Sequence, residues 1–166
     1  MKTKGFRMMQ CALAICLALT FVCGVAQPVG AATKGYGFTY NKVTVRPGDD
    51  AAKFIKSAGT YDSMKKQNSC ATKGEDFTYA YEDFTLVTTT NDKKKNAKQY
   101  VTSITLKTKD VKTQEGIAIG SKEKDVKKKY KGAKSKFGVY TKTKGKTKIC
   151  ITVDGGVVSE IQILKK

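Results

Sequence analysis

The stretch Glu115-Gly-Ile-Ala-Ile-Gly-Ser-Lys-Glu-Lys-Asp-Val-Lys-Lys-Lys-Tyr130 predicts a short strand, a tight glycine turn and a short helix. Its two isoleucines alternate with small residues, as expected for the strand. Ser121 stands where an N-cap side chain would accept hydrogen bonds from the first amides of the helix. Val126 and Tyr130 are four residues apart, so they would lie on one inward helical face.

A fainter version of this pattern lies 72 residues earlier in the chain. There Val45-Arg-Pro-Gly48 leads into residues 49–58, where Asp49 would cap a helix that Gly59 ends. Apolar residues in this segment recur at helical spacing. The correspondence predicts a tandem repeat. The matched pairs are Gly48 with Gly120, Asp49 with Ser121, and Phe54 with Val126.

Alternating apolar and polar residues predict antiparallel strands in both halves of the chain. Turn residues at 41–42 and 154–156 mark hairpins, whereas the polar residues 61–67 predict a loop. We therefore predict an α+β fold of two tandem repeats, each a short helix packed on an antiparallel β-meander. The repeats would span residues 33–110 and 111–166, packed together as one domain. Strands are predicted at 38–40, 43–45, 69–71, 77–81, 84–90, 100–106, 117–119, 137–140, 147–153 and 157–164.

Residues 1–32 are predicted to be a secretory signal peptide. Three basic residues precede an apolar run from residue 8 to 25, and residues 29–31 fit the small-residue cleavage pattern. A retained membrane anchor is the alternative. The residues before Cys23 do not form a lipobox. The mature chain is therefore expected to be secreted and extracellular, associated with the cell wall and without a transmembrane span.

The chain is strongly basic, with a net charge of +18. The signal segment holds three basic residues and no acidic ones, so the mature chain would keep a charge of +15. Arg46 is the only arginine after residue 32; the other basic residues there are lysines. Because lysine acts as a point charge and does not fork onto guanine edges, specific nucleic-acid recognition is not expected.

The sequence lacks the residues that most kinds of catalytic and metal-binding site require. Histidine is absent, which removes the commonest general base and metal ligand. No metal ion and no cofactor are expected, because neither a thiolate-rich site nor a dinucleotide or phosphate-loop motif is present. The acidic pairs Glu75-Asp76 and Glu82-Asp83 could in principle serve a hydrolase, but their place at turns and strand edges favours solvated residues. The protein is predicted not to be an enzyme.

The candidate binding residues are tyrosines and lysines. Tyrosines on an open sheet face would offer apolar area with a hydroxyl, but the pattern also fits core residues. Tyr100 shares a face with Ile104 and Leu106 and is interpreted as a core residue. Cys70 and Cys150 would form one disulfide in a secreted protein, with two buried free thiols as the alternative. The candidate residues are Tyr79, Tyr81 and Tyr140, and the lysines Lys93, Lys94, Lys95, Lys127, Lys128 and Lys129.

Three segments carry a resemblance to known proteins. They are Ser69-Cys-Ala with residues 74–84, Tyr100-Val-Thr-Ser-Ile-Thr-Leu, and Thr113-Gln-Glu-Gly-Ile-Ala-Ile-Gly-Ser121. Together they resemble a family of uncharacterised secreted proteins and lipoproteins of Gram-positive bacteria. The tandem plan is also similar to β-lactamase inhibitory protein and to small outer-membrane assembly lipoproteins. This resemblance implies helices on one sheet face and a second face that binds a protein.

The predicted function is a secreted, non-enzymatic binding module that acts at the cell envelope. Its partner would be an envelope protein or an anionic cell-wall polymer, held through many salt-screened contacts. One alternative is an inhibitor-like protein that grips an envelope enzyme through the open sheet face. Another is a carboxylate-dependent hydrolase.

Overall fold

The computed structural model describes residues 35–166, so the predicted signal peptide lies outside the described residues. Within this part, the helices are α1 (Ala52–Ala58) and α2 (Glu123–Lys129). The strands are β1 (Phe38–Tyr40), β2 (Val43–Val45), β3 (Ser63–Asn68), β4 (Glu75–Ala80), β5 (Phe84–Thr90), β6 (Gln99–Leu106), β7 (Lys134–Lys136), β8 (Val139–Lys144), β9 (Thr147–Asp154) and β10 (Val157–Lys165).

Strands β3 to β10 form one antiparallel sheet in the order β3-β4-β5-β6-β10-β9-β8-β7, while β1 and β2 form a separate hairpin. The two halves of the sheet join where β6 pairs with β10, with Leu106 opposite Ile161. The predicted α+β class of helix-on-meander repeats is wrong, because the structure is 11% helical and 48% strand. Each helix has only seven residues, so the continuous sheet supplies most of the architecture.

One face of the sheet is covered and carries the core. Phe38 of β1 and Phe54 of α1 lie against Phe84 of β5, with ring centroids 5.0 and 5.7 Å apart. Val126 of α2 is fully buried in the same hydrophobic cluster. Both helices therefore pack on the same side of the sheet. Burial of these apolar side chains is the main favourable contribution to folding.

The other face, which we call the open face, carries no buried side chain among residues 35–166. Because side chains alternate along a strand, the strand register identifies its members. They are mostly threonine, serine and small apolar residues, all exposed or half-buried. One row across the sheet consists of Ser63, Ala80, Thr85, Thr105, Gln162, Cys150, Thr141 and Lys134.

A β-bulge changes the face assignment within β6. Val87 lies opposite Ser103 and Thr88 opposite Val101, so Thr102 is the extra residue. The bulge buries Val101 and turns Tyr100, which pairs with Thr89, towards the open face. The prediction that Tyr100 is a core residue sharing a face with Ile104 is therefore wrong, because the extra residue breaks the alternation.

The segments that lead into the two helices make equivalent backbone hydrogen bonds. Each segment pairs with a strand of the large sheet immediately before its helix begins. The bonds of the first are Gly48 N to Val101 O (2.7 Å), Val101 N to Asp49 O (2.9 Å) and Ala51 N to Gln99 O (2.9 Å). Those of the second are Gly120 N to Val158 O (2.8 Å), Val158 N to Ser121 O (2.8 Å) and Glu123 N to Gly156 O (3.0 Å).

The predicted helix caps are wrong, although both helices form. The side chain of Asp49 accepts from the backbone N–H of Arg46 at 2.9 Å and does not cap α1. The hydroxyl of Ser121 accepts from the backbone N–H of Ala118 at 3.0 Å. In both cases the residue stabilises the turn before the helix. Gly59 ends α1 as predicted, with a φ of +83°.

Several short elements also differ from the prediction. Residues 61–67 are not a loop, since most of them belong to the edge strand β3, whose six residues are all exposed. An exposed edge strand has no hydrophobic alternation to reveal it. Residues 69–71 and 117–119 are turns or irregular, not strands. Phe137 and Gly138 form the tight turn between β7 and β8.

Candidate functional site

The candidate tyrosines lie on the covered face and are buried. Tyr79, Tyr81 and Tyr140 are 6%, 4% and 8% exposed. The Tyr79 hydroxyl donates to the side-chain oxygen of Gln99 at 2.9 Å. These three residues therefore cannot serve as exposed anchors on the open face, and the inhibitor-like alternative loses the contacts on which it was based.

Tyr81 has an unusual environment. Its ring stacks on Phe84 with centroids 4.5 Å apart. Its hydroxyl is buried, and no group of the described residues forms a hydrogen bond with it. Burial, with smaller contributions from the neighbouring Tyr79 and Tyr61, raises the pKa of Tyr81 to about 12. The phenol is thus held in its neutral form far above physiological pH.

The lysines 93–95 belong to the segment between β5 and β6, which we call the lysine loop (residues 91–98). The loop is held by its own hydrogen bonds. Oδ1 of Asp92 accepts from the N–H of Lys94 at 3.0 Å, and the N–H of Ala97 donates to the carbonyl of Lys94 at 3.0 Å. Asn96 adopts a φ of +69°, which asparagine tolerates better than most residues. The loop therefore presents its ammonium groups from a constrained backbone.

Three adjoining clefts surround the lysine loop. The first, of about 280 Å³, is lined by the loop and Tyr100. The second, of about 490 Å³, lies between the loop and the edge of the covered face, where Lys66 and Phe77 contribute. The third, of about 520 Å³, lies between the loop and α1 and includes Ile55 and Tyr79. The loop thus brings lysines together with aromatic and apolar surface.

Lys66 extends the positive charge of the second cleft. Its ammonium group lies 2.9 Å from a carboxylate oxygen of Glu75 and 5.6 Å from the ring centroid of Phe77. Within the loop, Lys94 lies 3.6 Å from Asp92. Lys93 and Lys95 form no ion pair with any described residue. The second cleft therefore keeps a surplus of positive charge.

Sequence reasoning missed Tyr100 as a site residue. Tyr100 is the only aromatic residue of the described strands that the register places on the open face, and it lines the first cleft beside the lysines. The signal that could have revealed it is the run Val101-Thr102-Ser103, in which two polar residues follow a valine and interrupt the alternation. Such a run is compatible with a bulge.

The second group of predicted lysines has a different arrangement. Lys127 lies 2.9 Å from Glu123, and Glu123 also accepts a hydrogen bond from the hydroxyl of Tyr140. These two contacts hold the pKa of Glu123 below its ordinary value, the bond from Tyr140 contributing most. Lys128 and Lys129 are exposed on other sides of α2. The structure therefore joins Lys127 to Tyr140 in a helix-to-strand contact and does not gather the three lysines into one site.

The predicted disulfide between Cys70 and Cys150 is wrong, because both cysteines are free. Cys70 follows the edge strand β3, whereas Cys150 lies on the open face in β9, five strands away. Strands are ~4.8 Å apart, so the separation is on the order of 24 Å. A disulfide needs Cα atoms within ~7 Å of each other. The alternative of two buried thiols is not met either, since Cys70 is exposed.

The acidic pairs do not converge on one pocket. Glu75 pairs with Lys66, and Asp83 accepts from the hydroxyl of Thr108 at 2.6 Å. Each cleft around the lysine loop is lined by a single carboxylate. Among residues 35–166, no group of three metal-ligating side chains is close enough to hold an ion.

No helix among residues 35–166 combines the length and the apolar character needed to cross a membrane. Comparisons with protein-family models, with curated proteins and with solved structures return no match for the chain. The resemblance to secreted proteins and lipoproteins of Gram-positive bacteria therefore stays a prediction.

Proposed function

We propose that this chain is a secreted, non-enzymatic binding module that holds an anionic polymer of the cell envelope at its lysine loop. The observation that carries the proposal is the concentration of lysines around two clefts with an aromatic residue beside each. The second cleft alone is lined by four lysines, namely Lys66, Lys93, Lys94 and Lys95, against the single carboxylate of Glu75.

Charge supports this proposal over a protein partner. Only Lys66, Lys94 and Lys127 of the described lysines form an ion pair with a described carboxylate. Most lysines are therefore available to a partner of opposite charge. A polymer with regularly spaced phosphates can contact many ammonium groups at once, each contact being weak and screened by salt.

The clefts supply a second kind of contact. Tyr100 lines the first cleft and Phe77 lines the second. An aromatic ring can pack against the carbon-rich backbone of a sugar or polyol phosphate, while nearby lysines contact its phosphates. Because the lysine loop is held by its own hydrogen bonds, binding would cost less ordering entropy than it would for an unconstrained loop.

The test compares two triple variants with the same change in net charge. K93Q/K94Q/K95Q removes the loop lysines, whereas K124Q/K128Q/K129Q removes exposed lysines of α2 that form no ion pair with a described residue. Binding of inorganic polyphosphate of defined length is titrated at several salt concentrations. An exposed contact contributes ~0.5 kcal/mol, so the loop variant should lose about tenfold in affinity.

The salt dependence of polyphosphate binding distinguishes a defined site from general electrostatic attraction to a basic surface. Loss of three phosphate contacts should reduce the slope of log affinity against log salt by about 2. The helix variant should keep most of the affinity and of the slope. Equal losses in both variants would show that net charge alone governs binding and would overturn the assignment to the lysine loop.

A further inference from the structure

The turn between β7 and β8 carries the most exposed hydrophobic side chain of the described chain. Phe137 is 92% exposed, and it occupies a two-residue turn with Gly138, with φ values of +50° and +76°. A bulky residue rarely adopts positive φ, and Asn-Gly or Gly-Gly is the usual choice for such a turn. Phe137 is therefore unfavourable both in its backbone conformation and in its exposure.

The surroundings of Phe137 are basic. Lys134 and Lys136 lie on β7 opposite Thr141 and Val139, close to the turn, whereas Lys142 and Lys144 lie towards the other end of β8. The ammonium group of Lys136 lies 5.2 Å from the centroid of the Phe137 ring. The turn between β9 and β10 lies at the same end of the sheet, since the N–H of Val153 donates to the carbonyl of Gly138. That turn adds the carboxylate of Asp154. Glu123, whose N–H donates to the carbonyl of Gly156, lies beside it and is paired with Lys127.

The second turn also adds apolar surface. Val157 follows it and is 44% exposed. Four large hydrophobic residues are exposed in the described chain. Two of them lie at this end of the sheet, Phe137 within one turn and Val157 directly after the other. An exposed apolar tip within a basic segment matches the interface of an anionic bilayer, where apolar groups enter the headgroup region and lysines contact lipid phosphates.

We propose that the β7–β8 turn is a membrane-contact tip, which inserts Phe137 into the interface of an anionic lipid bilayer while Lys134 and Lys136 of β7 contact the headgroups. This site is distinct from the lysine loop. The loop lies between β5 and β6, whereas the tip belongs to the opposite half of the sheet, in which β7 is the edge strand.

The test uses residues 33–166, which contain the whole described fold, and exploits the absence of tryptophan from the sequence. F137W and the control M64W each place a single fluorophore at an exposed hydrophobic position; Met64 lies on the other edge strand and is 41% exposed. Each variant is mixed with vesicles of phosphatidylcholine alone or with phosphatidylglycerol added, and brominated lipids then report the depth of the indole.

We expect F137W emission to move to shorter wavelength, and to be quenched by brominated lipid, only with the anionic vesicles. M64W should respond to neither. No change for F137W with either vesicle would overturn the proposal. Equal changes in both variants would also overturn it, since they would indicate adsorption without a preferred orientation. Polymer capture by the tip instead of lipid contact would appear as a response of F137W to polyphosphate but not to vesicles.

The variant F137N supplies a second readout in the same chain. It should lower affinity for anionic vesicles by about tenfold, equivalent to about 1.4 kcal/mol, and F137L should retain most of it. F137N should leave the salt slope for polyphosphate unchanged, because Phe137 lies outside the lysine loop. The two proposals can therefore fail separately.

Discussion

The substitution Phe137→Asn is expected to stabilise the fold, although it removes a large apolar side chain. The ring is 92% exposed, so its removal uncovers almost no buried surface. Asparagine is well suited to the first position of a turn with two positive φ angles, which should relieve ~1 kcal/mol of backbone strain. Loss of the exposed contact between the ring and Lys136 costs up to ~0.5 kcal/mol.

The balance is an increase of ~0.5–1 kcal/mol in the free energy of unfolding, or ~2–4 °C in Tm for a domain of this size. Urea and thermal denaturation of the wild type and F137N would measure it. Lys42→Gly should act in the same direction, because Asn41 and Lys42 form a similar turn with φ values of +45° and +65°.

Gly138→Ala serves as a control for which the opposite change in stability is expected. A Cβ at this position would lie 2.7 Å from the carbonyl oxygen of Val153, so this variant should be destabilised. If F137N were clearly less stable than the wild type, Phe137 would make contacts that support the fold. The argument from strain to membrane contact would then be refuted.

Four further predictions concern Tyr81, Gly74 and the cysteines. Tyr81→Phe keeps the ring stacked on its neighbour and removes a buried hydroxyl without a partner in the described chain, so chemical denaturation at pH 7 should show a gain of ~1 kcal/mol; a loss would mean that the hydroxyl is hydrogen-bonded. Because the pKa of Tyr81 is raised to about 12, its neutral form contributes fully below pH ~10, and this part of the stability should disappear between pH ~10 and 12 in the wild type but not in the variant. Gly74→Ala would place a Cβ 2.2 Å from the carbonyl oxygen of Thr90, and we expect a loss of more than ~3 kcal/mol in the same denaturation assay, whereas an unchanged midpoint would refute that contact. Titration of residues 33–166, unfolded without reductant, should find both Cys70 and Cys150 as free thiols, and a disulfide between them within one chain would contradict the strand order.

Elements with local signals could be predicted from the sequence. The turn at Asn41-Lys42 and its two strands are confirmed, with Phe38 opposite Val45. The turn at residues 154–156 and the strands on both sides of it are also confirmed. The inward pair Val126 and Tyr130 is confirmed as well, since both are buried. In each case neighbouring residues decide the conformation, through turn chemistry or through helical spacing.

The remaining features depend on pairing between distant segments. No local pattern shows that β6 pairs with β10, although this pairing unites the sheet and separates Cys70 from Cys150. The position of the bulge in β6 depends on β5, and it decides that Tyr100 lies on the open face. Alternation at Tyr79 and Tyr81 showed that they share a face, but it could not show which face the helices cover.

The abundance of lysine has more than one physical origin, and the sheet order separates them. The edge strands β3 and β7 contain Lys65, Lys66, Lys134 and Lys136, and charged side chains on edge strands oppose pairing with other chains. This explanation does not apply to the lysine loop, which connects the interior strands β5 and β6, so its lysines need another role. Phe137 differs from these lysines, because it is a hydrophobic residue at an exposed position.

An exposed phenylalanine beside an edge strand favours the association that the edge lysines oppose. Solubility alone would select asparagine at position 137, since asparagine also suits the turn. A residue that is unfavourable for the backbone, for solubility and for edge protection is best explained by a contact made outside the folded chain. The lysine loop and the hairpin tip are therefore two parts of the described surface that the requirements of folding leave unexplained, and each has its own test.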